Sequence, residues 1–231
     1  MTRDAYELFF EEFIGENKDK FFKFGLEQTI YANEISIKNA RDKWEDLKLR
    51  LTSDQPIYIR RYGTGGRNTH LYKDFYANVF ENEELREDPT NNSMPRKLIE
   101  ELTGYMKKPR KGYTKIQNYQ VSHVFGKTKN ALAFTAPWNI VYLPKLLDPF
   151  TGHEAKGSDV ANFTALFKNQ CIDQFGDMIN EFNEIMKSDN VSSKLDSGID
   201  YVAKTNSLDE KQKQQFEKSV YSEFEPIPLE N

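Results

Sequence analysis

The chain has 231 residues, of which 38% are hydrophobic and 13% aromatic, and its formal net charge is −4. This composition predicts a folded chain with a buried core, and the single cysteine, Cys171, excludes an intramolecular disulfide and a cysteine-rich zinc site. No uninterrupted apolar stretch reaches membrane-spanning length, and the acids in "MTRDAYELFFEEF" are unlike a secretory signal, so we expect a cytoplasmic protein without a membrane partner.

Residues 1–95 predict a helical region interrupted by one strand. Residues 3–52 repeat apolar side chains at three- and four-residue steps, which is typical of helices. "QPIYIRRYG" alternates apolar and polar side chains and predicts a short strand. The glycine-rich turn "GTGGRN" follows, and "THLYKDFYANVF" predicts a further helix.

Residues 96–157 predict a small basic region that contains two strands. After the loop "EDPTNNSMP", the segment "PRKLIEELTGYM" predicts a helix that ends at Gly104. "NYQVSHVFG" then predicts a strand, "FTAPWNIVYLP" a second strand, and "KLLDPFTGHEAKG" the start of a short helix.

Residues 158–231 predict C-terminal helices. "SDVANFTALFKNQCIDQFGDMINEFNEIMK" reads as one long amphipathic helix, "SDNVSSKLDSG" as a polar linker, and "SLDE" as the capped start of a last helix, with Ser207 and Glu210 as the capping box. The expected fold class is α+β: mostly helical, with a small two-stranded insert in the middle.

Charge is distributed unevenly along the chain. Between Arg96 and Lys129 there are nine basic residues and only two acidic ones, whereas both ends of the chain are acidic. This pattern predicts an anionic partner at the centre, although a basic face that contacts only water would produce the same pattern.

The segments "SHVFGKTKN" and "PWNIVYLP" resemble the HNH, or ββα-metal, family of nucleases, over about residues 117–156. In that family a histidine ends the first strand, an asparagine lies in or after the second, and a further polar residue comes from the following helix. The resemblance implies a restriction-type endonuclease that hydrolyses DNA with Mg²⁺ or Mn²⁺. It implies His123 as the general base, Asn139 as the residue that holds the imidazole or its loop, and Asp148 or His153 as the metal ligand.

The chemistry of phosphodiester hydrolysis agrees with these residue types. A base must deprotonate water, and a cation must neutralise charge on the phosphate and on the leaving oxygen. Histidine titrates near neutrality and suits the first task, whereas Mg²⁺ needs few protein ligands because it keeps several waters.

Basic residues near this segment are the expected nucleic-acid contacts. They alternate with tyrosines in "YIRRYGTGGRNTHLYK" and form a dense cluster in "KKPRKGYTK", a combination that suits phosphate contact and base stacking. The predicted contacts are Arg60, Arg61, Arg67, Lys107, Lys108, Arg110, Lys111, Lys115, Lys127 and Lys129.

Three alternatives remain open from the sequence. Many family members carry a metal-ligating aspartate where this chain has Ser122, so the protein could instead bind nucleic acid without cutting it. The histidine and the asparagine could also serve only to satisfy buried backbone groups. Finally, the end helices could form an interaction module for another protein, and a palindromic DNA target would imply a homodimer.

Overall fold

The computed structural model describes residues 4–61, 69–152 and 155–229, and it confirms a mostly helical α+β fold. The α-helices are α1 (Ala5–Phe9), α2 (Lys18–Glu27), α3 (Ile37–Thr52), α4 (Thr69–Phe80), α5 (Ser93–Thr103), α6 (Ala131–Phe134), α7 (Ser158–Lys187), α8 (Asp189–Ser192), α9 (Leu195–Thr205) and α10 (Glu210–Phe224). Shorter turns of π- or 3₁₀-helix cover Phe10–Ile14, Gly15–Asn17, Pro137–Asn139 and Lys145–Thr151.

The strands form three small sheets within the described residues. They are β1 (Ile30–Tyr31), β2 (Ile57–Arg60), β3 (Leu85–Asp88), β4 (Tyr105–Met106), β5 (Thr114–Lys115), β6 (Tyr119–His123) and β7 (Ile140–Pro144). The main sheet has the order β1-β7-β6 and is antiparallel, whereas β2 pairs with β3 and β4 with β5 in parallel.

The N-terminal region follows the helical prediction in most places. The Ser36 hydroxyl accepts a hydrogen bond from the Lys38 N–H and starts α3, whose buried face includes Trp44. The predicted strand is confirmed as β2 and the next helix as α4, while the glycine-rich turn between them lies outside the described residues. The sequence did not predict β1, because a two-residue strand carries no periodicity and exists only through its pairing with β7.

The start of α5 depends on a second strand that was not predicted. β3 ends at Asp88, within the predicted loop, and its fully buried carboxylate accepts hydrogen bonds from the N–H groups of Thr90, Ser93 and Met94 at 2.9, 3.0 and 2.6 Å. An anionic side chain at this end complements the helix dipole. The predicted end at Gly104 is confirmed, since that residue is left-handed with φ of 71°.

Two C-terminal predictions are wrong. The segment predicted to be a polar linker folds into α8 and the start of α9, in which Val191, Leu195 and Ile199 are buried. The last helix is capped by Asp209 and Gln212 instead of Ser207 and Glu210. The long helix α7 is confirmed, with a kink at Phe175.

The three regions share one hydrophobic core. Trp138, from the middle region, packs against Trp44 of α3 and Phe182 of α7, with ring centroids 5.9 and 5.1 Å apart. The main sheet is therefore held between helices from both ends of the chain. Among the described residues, no helix combines the length and the apolar character that crossing a bilayer would require.

Candidate active site

His123 is the last residue of β6, as predicted, and its imidazole is held in one orientation. The side chain is only 6% exposed, and its ring stacks on Phe134 of α6 with centroids 5.3 Å apart and planes inclined by 12°. Its Nε2 lies 2.9 Å from the Phe134 carbonyl oxygen. Because a carbonyl oxygen only accepts, Nε2 must carry the proton, and in the neutral ring the lone pair is therefore on Nδ1.

Asn139 fixes the loop that follows His123. Its Oδ1 accepts a hydrogen bond from the Phe125 N–H at 2.8 Å, and its Nδ2 donates to the carbonyls of Gly126 and Ala133, each at 2.9 Å. The backbone carbonyl of Asn139 also accepts from the Val124 N–H. Of the two roles expected for this asparagine, these hydrogen bonds correspond to holding the loop. The second strand, β7, begins one residue after Asn139, at Ile140. It therefore covers only the second half of the segment "FTAPWNIVYLP", over which a strand was predicted.

A cleft of about 740 Å³ runs along β6 and collects polar groups from distant parts of the chain. His123 and Ser122 line it, as does Asp148 from the 3₁₀ turn after β7. The cations Arg60, Arg96, Lys107 and Lys127 also line it, with Glu223 from α10 as a second carboxylate. A histidine, two carboxylates and several cations thus share one cavity.

The charges in the cleft are not equally available to a ligand. The Glu223 carboxylate accepts hydrogen bonds from the N–H groups of Lys129 and Asn130 at 2.9 and 3.2 Å, and burial raises the pKa of this carboxyl group. The Lys127 ammonium donates to the Ser222 carbonyl at 2.8 Å, and burial lowers its pKa. Lys127 and Glu223 thus connect α10 to the loop after β6. Because the Glu223 carboxylate is already occupied by these backbone N–H groups, Asp148 is the carboxylate in the cleft that is better placed to bind a ligand.

The metal ligands expected from the resemblance are only partly described. Asp148 is half-buried in the cleft, whereas His153 lies outside the described residues. Ser122 is 6% exposed and stands beside His123. Over residues 4–61, 69–152 and 155–229, no group of three His, Cys, Asp or Glu side chains could hold a metal ion. Mg²⁺ remains compatible with this donor set, because it is commonly held by one or two carboxylates together with substrate phosphates and water.

Apart from Lys129, the predicted nucleic-acid contacts divide into three groups. Arg60, Lys107 and Lys127 line the cleft. A second group is exposed but lies outside the cleft, namely Arg61, Lys108, Arg110, Lys111 and Lys115. Within that group, Arg61 is 3.6 Å from the Glu87 carboxylate. Arg67 lies outside the described residues.

Lys129 is a correction to the prediction. It is 4% exposed, and its ammonium donates a hydrogen bond to the Arg60 carbonyl. A cation buried in this way holds the end of β2 against the loop after β6, so Lys129 does not offer its charge to a phosphate on the surface. The local sequence does not indicate that Lys129 is buried, because it is the last residue of the polar segment "KTK", which is typical of an exposed loop.

Several cleft residues were not singled out by the sequence as site residues. Arg96 lies on α5, Asn92 is the residue before it starts, and Glu223 lies near the end of α10. They are separated from His123 by up to a hundred residues. Only the packing of helices from both ends against the main sheet brings them together.

Two comparisons with known proteins give a consistent result. The family model described as "Uncharacterised protein PM1201" matches residues 35–229, a range that contains the whole cleft. The uncharacterized protein PM1201 of Pasteurella multocida (strain Pm70) is 39% identical to this chain over 186 residues, which are 80% of either chain. No solved structure matches the chain.

Proposed function

This chain belongs to the uncharacterised protein PM1201 family, and we propose that it is a metal-dependent endonuclease of the HNH type that hydrolyses DNA. One observation carries the proposal. The imidazole of His123, with its proton on Nε2 directed to the Phe134 carbonyl, lies in the same cationic cleft as Asp148. A fixed base, a carboxylate and positive charge are the groups that phosphodiester hydrolysis requires.

In this mechanism His123 is the general base. The Nδ1 lone pair accepts a proton from the attacking water, and the hydrogen bond to the Phe134 carbonyl stabilises the imidazolium that results. Asn139 acts as a positioning residue, because it fixes the loop after β6 through three backbone groups. Arg60 and its neighbouring cations reduce the negative charge that accumulates on the phosphate.

Asp148 would hold the divalent ion, Mg²⁺ or Mn²⁺, with His153 as the second ligand that the resemblance suggests. Asp148 follows Asn139 by nine residues, and it lies on the 3₁₀ turn after β7, where it lines the cleft. When bound, the ion supplies positive charge to the phosphate and to the leaving oxygen.

The proposal extends to the setting of the enzyme. DNA as substrate and a reduced, buried Cys171 agree with the cytoplasm, and a restriction or defence role would follow from the restriction-type resemblance. If the target is palindromic, two copies related by a two-fold axis would act together.

The first experiment compares cleavage by the native chain with cleavage by His123→Ala and His123→Gln. With plasmid DNA and Mg²⁺ or Mn²⁺, we expect both variants to lose about 10²- to 10⁴-fold in rate while DNA binding is retained. The glutamine side chain keeps a donor for the Phe134 carbonyl but cannot take a proton from water, so it separates the loss of a base from the loss of packing. A His123→Gln variant that cuts at the native rate would end the proposal.

A second candidate is a DNA-binding protein that does not cut. The buried Ser122 at the position of a common ligand favours it. Salt-sensitive DNA binding by the native chain, without cleavage under Mg²⁺ or Mn²⁺, would support this candidate over the enzyme.

A further inference from the structure

Three cations from different elements meet at the start of β6, and we name Arg96, Lys107 and Lys145 the entry cluster. Arg96 is on the first turn of α5, and Lys107 directly follows β4; both line the cleft. Lys145 opens the 3₁₀ turn that carries Asp148, and its backbone N–H donates to the Asn118 carbonyl at 2.9 Å, next to β6.

The entry cluster carries more positive than negative charge. Partial burial lowers the pKa of Lys107, and the charges of Lys145 and Arg96 lower it further. Glu100 is the nearby carboxylate, and it lies 3.9 Å from the Arg96 guanidinium. Three cations with this little compensation repel one another, and an anion between them would relieve the repulsion.

We infer that the entry cluster is a second phosphate subsite, which holds a phosphate of the DNA strand other than the one at the bond to be cut. The inference rests on the proposed function, and it adds the direction in which the DNA strand crosses the cleft. Gln120, beside the cluster, and His123 are three residues apart on β6, which corresponds to about 10 Å. The second phosphate would therefore lie on the same DNA strand, about 10 Å from the scissile one.

The direction of the cleft supports this geometry. β6 passes from the entry cluster at Tyr119 to His123, where Arg60 and the loop after the strand form the other end. The Arg60 N–H donates to the Thr128 carbonyl at 2.9 Å, which joins that end to β2. A DNA strand laid along β6 would therefore meet the entry cluster at one end, and His123 together with Arg60 at the other.

The test measures DNA binding without divalent ions, so that cleavage plays no part. The variant Arg96→Ala/Lys107→Ala is compared with the control Lys97→Ala/Lys211→Ala, which loses the same two charges from exposed positions that do not line the cleft. Affinity for a short fluorescent DNA duplex is measured between about 50 and about 200 mM salt. The entry-cluster variant should bind roughly 10-fold more weakly, and the slope of log affinity against log salt should fall by about 0.9. The control should keep the native slope.

Two results would overturn the subsite. One is an unchanged slope in the entry-cluster variant, and the other is an equal loss in the control, which would indicate diffuse attraction to a basic surface. The nuclease proposal is judged separately by the His123 variants. If the native protein never cuts DNA, but the salt slope decreases in Arg96→Ala/Lys107→Ala and not in the control, the phosphate subsite is supported and the nuclease proposal is rejected.

Discussion

His123 is buried like a core residue and also lines the cleft in which we propose that it acts as a general base. It is buried and stacked on Phe134, as a structural histidine would be, yet it lines a cleft rich in cations. The hydrogen bond to the Phe134 carbonyl reconciles the two descriptions, because it both satisfies a buried backbone oxygen and sets the tautomer of the ring. Burial alone is therefore no argument against catalysis at this position.

Lys129 leads to a prediction about pH. Burial lowers the pKa of its ammonium from 10.5 to about 8, so between these values the unfolded chain binds more protons than the folded one. Stability contributed by this group therefore rises with pH across that window, and below pH 8 the penalty for burying the charge is constant. From pH 8 to 10.5 we expect the native chain to gain about 3 kcal/mol in unfolding free energy relative to Lys129→Met, measured by urea denaturation.

The control for this prediction is Lys111→Met, which replaces an exposed lysine. Its stability should change with pH in parallel with that of the native chain. Parallel curves for Lys129→Met and the native chain would contradict the assignment of Lys129 as a buried cation.

At the scale of elements, the loop between β6 and α6 is ordered by one side chain from the turn before β7. Replacing Asn139 by Ala leaves the Phe125 N–H and the carbonyls of Gly126 and Ala133 without this partner, and Asn139 is fully buried. We expect Asn139→Ala to lower the free energy of unfolding by about 3 kcal/mol, measured by urea denaturation. The exposed Asn180, whose amide bonds to Glu184, is the matched control, and Asn180→Ala should cost less than about 0.5 kcal/mol. Equal losses in the two variants would show that Asn139 does not order the loop.

Element predictions succeeded where the pattern was long or had a clear stop. α7 repeats buried side chains over thirty residues, and Gly104 ends α5 through a backbone conformation that glycine adopts readily. They failed for α8 and α9, where serines and aspartates suggested a linker although Val191, Leu195 and Ile199 are buried. Tertiary packing of those few apolar side chains outweighed local propensity.

At the scale of the whole molecule, the cleft is built by all three regions of the chain. Arg60 comes from the first region, His123 from the middle and Glu223 from the last. The regions defined from composition, residues 1–95, 96–157 and 158–231, therefore contribute to one core and one cavity.

This arrangement predicts that residues 96–157 do not fold alone. In isolation, β7 would lose its pairing with β1, and Trp138 would lose Trp44 and Phe182. Exposing that apolar surface leaves too small a core for independent stability. We expect circular dichroism of the fragment to show an unfolded chain, whereas the full chain unfolds with coincident fluorescence and dichroism transitions. A fragment that melts cooperatively would contradict a shared core.

The local pattern was sufficient for the mostly helical class, for the strand that ends at His123, and for the asparagine that follows it before β7. These features depend on periodicity and on residue chemistry over short distances, which are visible in the chain itself. The other residues of the cleft were not visible, because Arg96 and Glu223 come to the same cavity as His123 only after elements from distant parts of the chain pack together. The same packing buries Lys129 and leaves Lys107 at the cleft. Burying a charge has a cost in desolvation, which lowers the pKa of both lysines, and the residues adjacent to each lysine in the sequence do not indicate how deeply it is buried.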